Sequence, residues 1–431
     1  MLPLLILALD MAGPASPLTV REVAALAAGE APAVARARAE TDLARARHTA
    51  ARSRLGPTLT ADLGLLWTDD PVDAFGLALK QERFSASEFF ASDPNRPGFT
   101  RDWNGTLSAA WRIDLLGPAH EARAAGQSAE AAGRVASRTR DTAVFQAITA
   151  FAATARSEEA LALLAEREKD AQEDLELAAS LHQQGLTTSA DPARASAALA
   201  EIRAEAAGHR AELAAARAAL AALIGSEAAR RPLSGLPASG PIPGADRAER
   251  DDVAAAELAA KAARARERAA SVARWPSLLV SGRYEFHAPR PGRRWGDSVS
   301  VFGGLRIPLF TSGEVGSRIA EARAAFRAAD ASAREARRSA EKDVVSARAA
   351  LEAAESRLKA FIEAEAAAKR AREIQQARYE EGIARLADLL DSRAAELRAR
   401  LGASTARSER AVAEASLQLA LGLPPEGKEI P

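Results

Sequence analysis

The sequence predicts a mainly α-helical chain that also carries membrane β-strands, written twice over as an internal duplication. Three observations predict it. First, LHQQGLTTSADPARA at 181–195 has a near copy, RYEEGIARLADLLDS, at 378–392. Gly185 and Gly382 lie 197 residues apart, as do Asp191 and Asp388, and Gly225 and Gly422. A repeat that long is a duplicated half-protein, not a solenoid unit. Second, residues 119–184 and 314–381 contain no proline. As helices rising about 1.5 Å per residue, each would reach on the order of 100 Å. Third, four stretches of about ten residues alternate between apolar and polar, the period of a strand with one face of each kind.

Composition bounds the function. The 431 residues carry a formal net charge of +0, so no basic surplus points to nucleic acid. Charged residues make up 27% and aromatics 4%, with alanine and arginine abundant, which suits long helices set close together. Cysteine is absent. That excludes disulfides, thiolate metal sites, cysteine nucleophiles and a lipid-modified N-terminal cysteine.

Residues 1–17 read as a tail, with Leu2–Leu9 as the apolar core of an export signal. That run is too short to span a bilayer, and no stretch reaches the roughly 20 apolar residues of a transmembrane helix. A membrane span must therefore use strands.

The first repeat covers 18–225. Thr19 is a candidate cap, with Glu22 three residues on, and Val20, Val23, Leu26 and Ala27 follow at helical spacing. After a break near Gly29–Pro32, a second helix is expected over 33–54, stopped by Gly56–Pro57. A β-hairpin over 58–115 comes next. Leu59, Ala61, Leu63, Leu65 and Trp67 oppose Thr58, Thr60, Asp62 and Gly64. In the returning strand, 106–115, Leu107, Ala109, Trp111, Ile113 and Leu115 oppose Thr106, Ser108, Ala110, Arg112 and Asp114. The turn-rich stretch 68–102 reads as a long polar loop. A long helix, the Gly185 corner and a shorter helix to about 225 complete the repeat.

A Pro/Gly/Ser-rich linker is expected over 226–247, then a second repeat over 248–422 and a tail over 423–431. The second hairpin spans 277–309. Leu278, Val280, Gly282, Tyr284 and Phe286 oppose Ser277, Leu279, Ser281, Arg283 and Glu285. Val299, Val301, Gly303, Leu305, Ile307 and Leu309 oppose Ser298, Ser300, Gly304 and Arg306, with Phe302 an exception. Ala322, Ala325, Ala329 and Ala333 form a small-residue face on the helix that follows.

Strands of roughly 9–11 residues with one apolar and one polar face are the mark of a membrane barrel. A soluble sheet would need a partner layer, yet the rest of the chain is alanine-rich helix. All five tryptophans, Trp67, Trp103, Trp111, Trp275 and Trp295, lie in or beside the hairpins, where interfacial girdles belong. The residues expected to face lipid are Leu63, Trp67, Leu107, Trp111, Val280, Tyr284, Val301 and Leu305. Four strands cannot close in lipid, where an open edge leaves backbone groups unpaired. Two chains would give a minimal filled barrel; three would give twelve strands and room for a lumen. A homotrimer is the expected unit.

In combination, several stretches resemble the outer membrane factor family, the TolC-like channels of Gram-negative bacteria. They are LTVREVAALA, LGPTL, RWPSL, LRIPLFTSGEVGSRIAEARAA and ARYEEGIARLADLLDSRAAELRAR with its ALG ending. The resemblance covers roughly residues 18–423. It implies a trimer with a twelve-stranded barrel in the outer membrane and an antiparallel α-helical tunnel in the periplasm. It also implies a periplasmic adaptor and an inner-membrane transporter of RND, ABC or MFS type as partners, in efflux or type I secretion. The family's Tyr–x–x–Gly … Asp–x–x–Asp pattern, which constricts the periplasmic end, falls on Tyr379, Gly382, Asp388 and Asp391, with Gly185 and Asp191 in the first repeat. Three copies of Asp388 and Asp391 would make acidic rings that attract cations; both Asp388 and Asp191 also suit helix capping. Some members place an arginine two residues after the corner glycine. Here that position is Ala384, and Arg385 follows, so the family's ionic latch does not carry over directly.

Catalysis finds no support. His48, His120, His182, His209 and His287 are scattered, and none makes a zinc-like spacing. No phosphate-cradling glycine loop is present, and no cofactor or metal is expected. The competing function class is a periplasmic coiled-coil scaffold or adaptor with soluble β segments.

Overall fold

The computed structural model describes residues 16–85, 95–114, 116–235, 249–293 and 295–425. The expected export signal, the later part of the linker and the end of the C-terminal tail lie outside them.

Helix α1 spans Val20–Glu30, and the Thr19 hydroxyl accepts the Glu22 amide at 3.2 Å. Only Ala31 separates it from α2, Pro32–Ser53. The break is short because Pro32 takes the first helical position, where its missing N–H costs nothing. Strand β1 is Thr58–Thr68. The stretch expected to be an irregular loop contains a helix, α3, Pro71–Lys80. Asp70 caps it, accepting the Val72 and Asp73 amides at 2.9 and 3.0 Å, so the turn-like Asp-Pro is a helix start. Strand β2, Thr100–Asp114, begins six residues before the expected strand; Leu115 is outside the described residues.

Helix α4, Gly117–Gln183, and helix α5, Ala190–Ile224, complete the first repeat. In the second, α6 is Asp251–Val272, β3 Ser277–Ala288, β4 Gly296–Arg306, α7 Glu314–Glu380 and α8 Leu386–Leu421. The duplication is structural. Helices α4 and α7 have 67 residues each, α2 and α6 have 22 each. Among the described helices, α1 and α3 lack counterparts in the second repeat.

One expectation is corrected here. Ile307 and Leu309 are not on the sheet, because β4 ends at Arg306. Pro308 lacks the N–H that would continue the ladder. The start of the expected linker is held to the first repeat. Residues 228–230 form a 3-10 turn, Leu233 bridges to Leu18, and Arg231 holds Glu22 at 2.6 Å.

The chain forms two compact units. One comprises the residues up to Thr41, Ala132–Ala255, and Arg334 onward; the other comprises Asp42–Ala131 and Ala256–Ala333. In the first, α1 packs through Val23 and Ala27 against Ala147 and Phe151 of α4 and Leu220 and Ile224 of α5. A second cluster joins Leu164 and Ala171 of α4, Leu199 and Ile202 of α5, and Leu397 of α8. Most of the buried apolar residues are alanines, small side chains that allow helices this polar to pack closely.

The second unit holds one antiparallel sheet of order β1-β2-β3-β4. Its register aligns the apolar rows across all four strands. Ala61 stands opposite Leu107, Leu107 opposite Tyr284, and Tyr284 opposite Val299. The polar rows align likewise: Thr60, Ser108, Arg283 and Ser300. Strands β1 and β4 each have one unpaired edge.

Candidate functional site: strand face and helix corners

Among the described residues, the apolar face of the sheet is left uncovered. Leu63 is 81% exposed, Val301 77% and Leu305 63%; Leu107, Trp111 and Val280 are also exposed, and Tyr284 is half-buried. A soluble sheet would bury this face, since a large contiguous apolar patch marks an interaction surface. The tryptophans fall into two belts. Trp67, Trp103 and Trp295 lie at the hairpin-loop end, and Trp111 and Trp275 at the end where the helices join. Along β2, Trp103 and Trp111 stand about 27 Å apart at 3.4 Å per residue, which rises about 20 Å once a strand is tilted as in a barrel, close to the height of the apolar band. The rings are anchored: Arg101 stacks on Trp67 at 4.4 Å, and Trp111 Nε1 donates to the Leu55 carbonyl at 3.0 Å. No helix among the described residues is long and apolar enough to cross a membrane.

The two corners share one backbone solution. Gly185 and Gly382 have φ of +72° and +75°, the left-handed region that favours glycine. The Gly382 amide donates to the Tyr379 carbonyl and the Ile383 amide to Arg378. In the first repeat the Gly185 amide donates to His182 and the Leu186 amide to Leu181. Both are glycine-terminated helix ends that satisfy the last carbonyls before the chain turns back. Gly225 and Gly422, which close the following helices, also have positive φ, +86° and +77°.

The aspartates of the two corners differ. Asp388 sits in the first turn of α8 and accepts the Arg385 backbone amide at 3.3 Å. The Arg385 guanidinium grips the same carboxylate at 3.2–3.3 Å. That hydrogen bond holds the Asp388 carboxyl below the usual carboxylate range. The arginine that follows Ala384 is therefore engaged inside its own corner. Asp191 is not the N-cap of α5, which is Ser189; its carboxylate accepts the Thr187 hydroxyl. Asp391 is exposed and has no partner among the described residues.

Tyr379 is half-buried against Ala178, Ala195, Leu386 and Leu390. Burial, together with the charges of Asp174 and Asp191, raises its phenol above the ordinary value. Asp174 is the residue that sequence reasoning missed. Its side chain is 8% exposed and bridges Arg167 on α4, at 3.4 Å, and Arg393 on α8, at 2.5 Å. Desolvation lowers the Arg167 guanidinium, and Asp174 opposes that shift. Nothing in the local sequence sets Asp174 apart from the many solvated charges of α4. Beside it, Arg372 of α7 pairs with Glu396 of α8 at 2.9 Å. The corner of the second repeat is thus pinned by buried charge to the first repeat of the same chain.

Among the described residues no group of three His, Cys, Asp or Glu side chains could hold a metal ion.

A sheet with a bare apolar face, two Trp belts and long duplicated helices turning at glycine corners has the architecture of an outer-membrane duct. A sequence profile for outer membrane efflux proteins matches residues 23–226 and 243–423. The chain belongs to the outer membrane efflux protein family, whose members are channels of the Gram-negative outer membrane with helical periplasmic tunnels. Among curated proteins no match was found. Among solved structures, it is similar to a membrane protein from Pseudomonas aeruginosa at 22% identity and TM-score 0.81, covering 94% of this chain and 93% of that one. It is similar to the CmeC outer membrane channel of Campylobacter jejuni at 17% identity and TM-score 0.82, covering 94% and 85%. The open state of the MtrE outer membrane channel of Neisseria gonorrhoeae gives 23% and 0.77, covering 94% and 89%. At these identities the likeness is one of fold.

Proposed function

We propose that three copies of this chain close a twelve-stranded barrel and act as the exit duct of a tripartite efflux or secretion assembly. The observation that supports this reading is the sheet: four strands, two unpaired edges and one exposed apolar face. In lipid each unpaired backbone group costs several kcal/mol, so the edges must find each other on neighbouring copies. Leu63, Trp67, Leu107, Trp111, Val280, Tyr284, Val301 and Leu305 then face the acyl chains, and the row of Thr60, Ser108, Arg283 and Ser300 faces a wet lumen. The half-open alanine face of α7 (Ala322, Ala325, Ala329) suits close approach of a neighbouring helix. A periplasmic adaptor and an inner-membrane transporter of RND, ABC or MFS type complete the assembly.

The corners form the periplasmic constriction, shaped by Gly185, Asp191, Tyr379, Gly382, Asp388 and Asp391. Asp388 is neutralised by Arg385 and caps α8, so Asp391 carries the greater share of any cation attraction. Planar-bilayer recording tests both levels. The wild-type protein is expected to form channels that multivalent cations block from the corner side, with Asp391→Asn relieving the block more than Asp388→Asn. Unaltered block in the double variant Asp388→Asn with Asp391→Asn would leave these residues as structural caps. Recovery of the protein in the soluble periplasm, with no channel activity, would sink the duct.

A further inference from the structure

Helix α3 lies back over the polar face of its own sheet. Its last turn is held at several points. Gln81 Nε2 donates to Asp102 Oδ1 at 2.8 Å and to the Arg101 carbonyl at 3.0 Å. The Asp102 side chain belongs to the polar row, since Asp102 stands opposite Leu66 and two residues before Asn104. Asp102 is fully buried, and its other oxygen accepts from His287 Nδ1 at 2.7 Å and Asn104 Nδ2 at 3.2 Å. A carboxylate can only accept, so the His287 proton sits on Nδ1. Lys80 Nζ reaches Glu285 at 3.9 Å, and Glu285 lies 3.9 Å from His287 Nε2, which is buried without a hydrogen bond. The Lys80 carbonyl occupies the place a Cβ would take on Gly296 at the start of β4, so only glycine admits the helix this close. Ala74 and Leu77 are buried beneath, while Val72, Phe75 and Leu79 stay exposed on the other side.

A free external loop needs none of this. Burying a carboxylate is costly unless donors converge on it, and a satisfied buried network fixes one arrangement. Helices α2, α4, α6 and α7 all join the sheet at the opposite end, so α3 stands at the exit end. We propose that α3 is an inward strap that narrows the outer mouth of the duct, with Asp102 and His287 as its positioning residues. This rests on the polar face lining the lumen. Three straps would then turn Val72, Phe75 and Leu79 toward one axis. An apolar ring of that kind resists hydrated ions and passes apolar or amphipathic solutes more readily.

Because the chain has no cysteine, single nitroxide labels can be placed cleanly on the full-length detergent-solubilised protein. Spin–spin distances between labels at Val72→Cys are expected to be narrow and shorter than those at Leu63→Cys, which lies on the opposite sheet face. Asp102→Ala or His287→Ala should broaden and lengthen the Val72→Cys distances and leave those at Leu63→Cys unchanged. Val72→Cys distances equal to or longer than those at Leu63→Cys overturn the strap while the barrel stands. An absence of any spin coupling at Leu63→Cys and Val72→Cys alike overturns the shared barrel and the strap with it.

Discussion

At the scale of single residues, buried or engaged carboxylates do most to hold the corners. Asp174 joins two guanidinium groups from different helices, all with side chains 15% exposed or less. Removing it leaves Arg167 and Arg393 buried and unpaired. Asp174→Ala is expected to destabilise the first unit by about 3–5 kcal/mol, the usual cost of breaking a buried pair. Thermal melting of the detergent-solubilised protein checks it, and a change within error would show the triad to be solvated. Asp388 gives a pH prediction. Its carboxyl is depressed by the Arg385 hydrogen bond. Its stabilising effect is therefore full above the unfolded Asp value, about 3.9, and lost as pH falls through the lower folded value. Amide exchange in 386–392, corrected for intrinsic rate, should stay protected down to the ordinary Asp range and rise only below it. Loss of protection near neutral pH would contradict the Arg385 grip.

At the scale of elements, alternation and glycine placement were legible, and partnership was not. The pattern of β1 and β3 is the pattern observed, because period two follows from strand geometry alone. Two other strand ends differ for reasons outside the pattern. Strand β2 starts early because Asp102 and Asn104, polar residues in a loop-like run, gain partners on β3 and α3. Strand β4 stops early because alternation continues past Pro308 while the ladder cannot. The two faces also separate in their tolerance. Leu63→Arg on the apolar face is expected to cost about 2–4 kcal/mol near the bilayer midplane. Thr60→Arg, on the polar face of the same sheet, should be nearly neutral. Folding titrations into lipid vesicles measure both, and equal costs would remove the distinction between lipid and lumen.

At the scale of the whole molecule, the unpaired edges of β1 and β4 are what the proposed association would close. Native mass spectrometry in detergent should give three chains, and on a gel the unheated assembly should migrate more slowly than the single chain released by heating. A folded monomer retaining all four strands would contradict the closed barrel. The scaffold alternative fails on the sheet: no described residue covers Leu63, Val301 or Leu305.

The duplication, the glycine corners, the long helices and the two-faced strands were determined by sequence alone. Each is a local matter of backbone conformation or periodicity, and Gly382 needs its left-handed φ whatever lies around it. Only the tertiary structure decided that β2 pairs with β3 across the repeats. It also decided that Asp174 is an interior charge and that α3 folds onto the sheet. These depend on which distant groups come within hydrogen-bonding reach, and a charge on an alanine-rich helix looks the same in sequence whether water or an arginine awaits it.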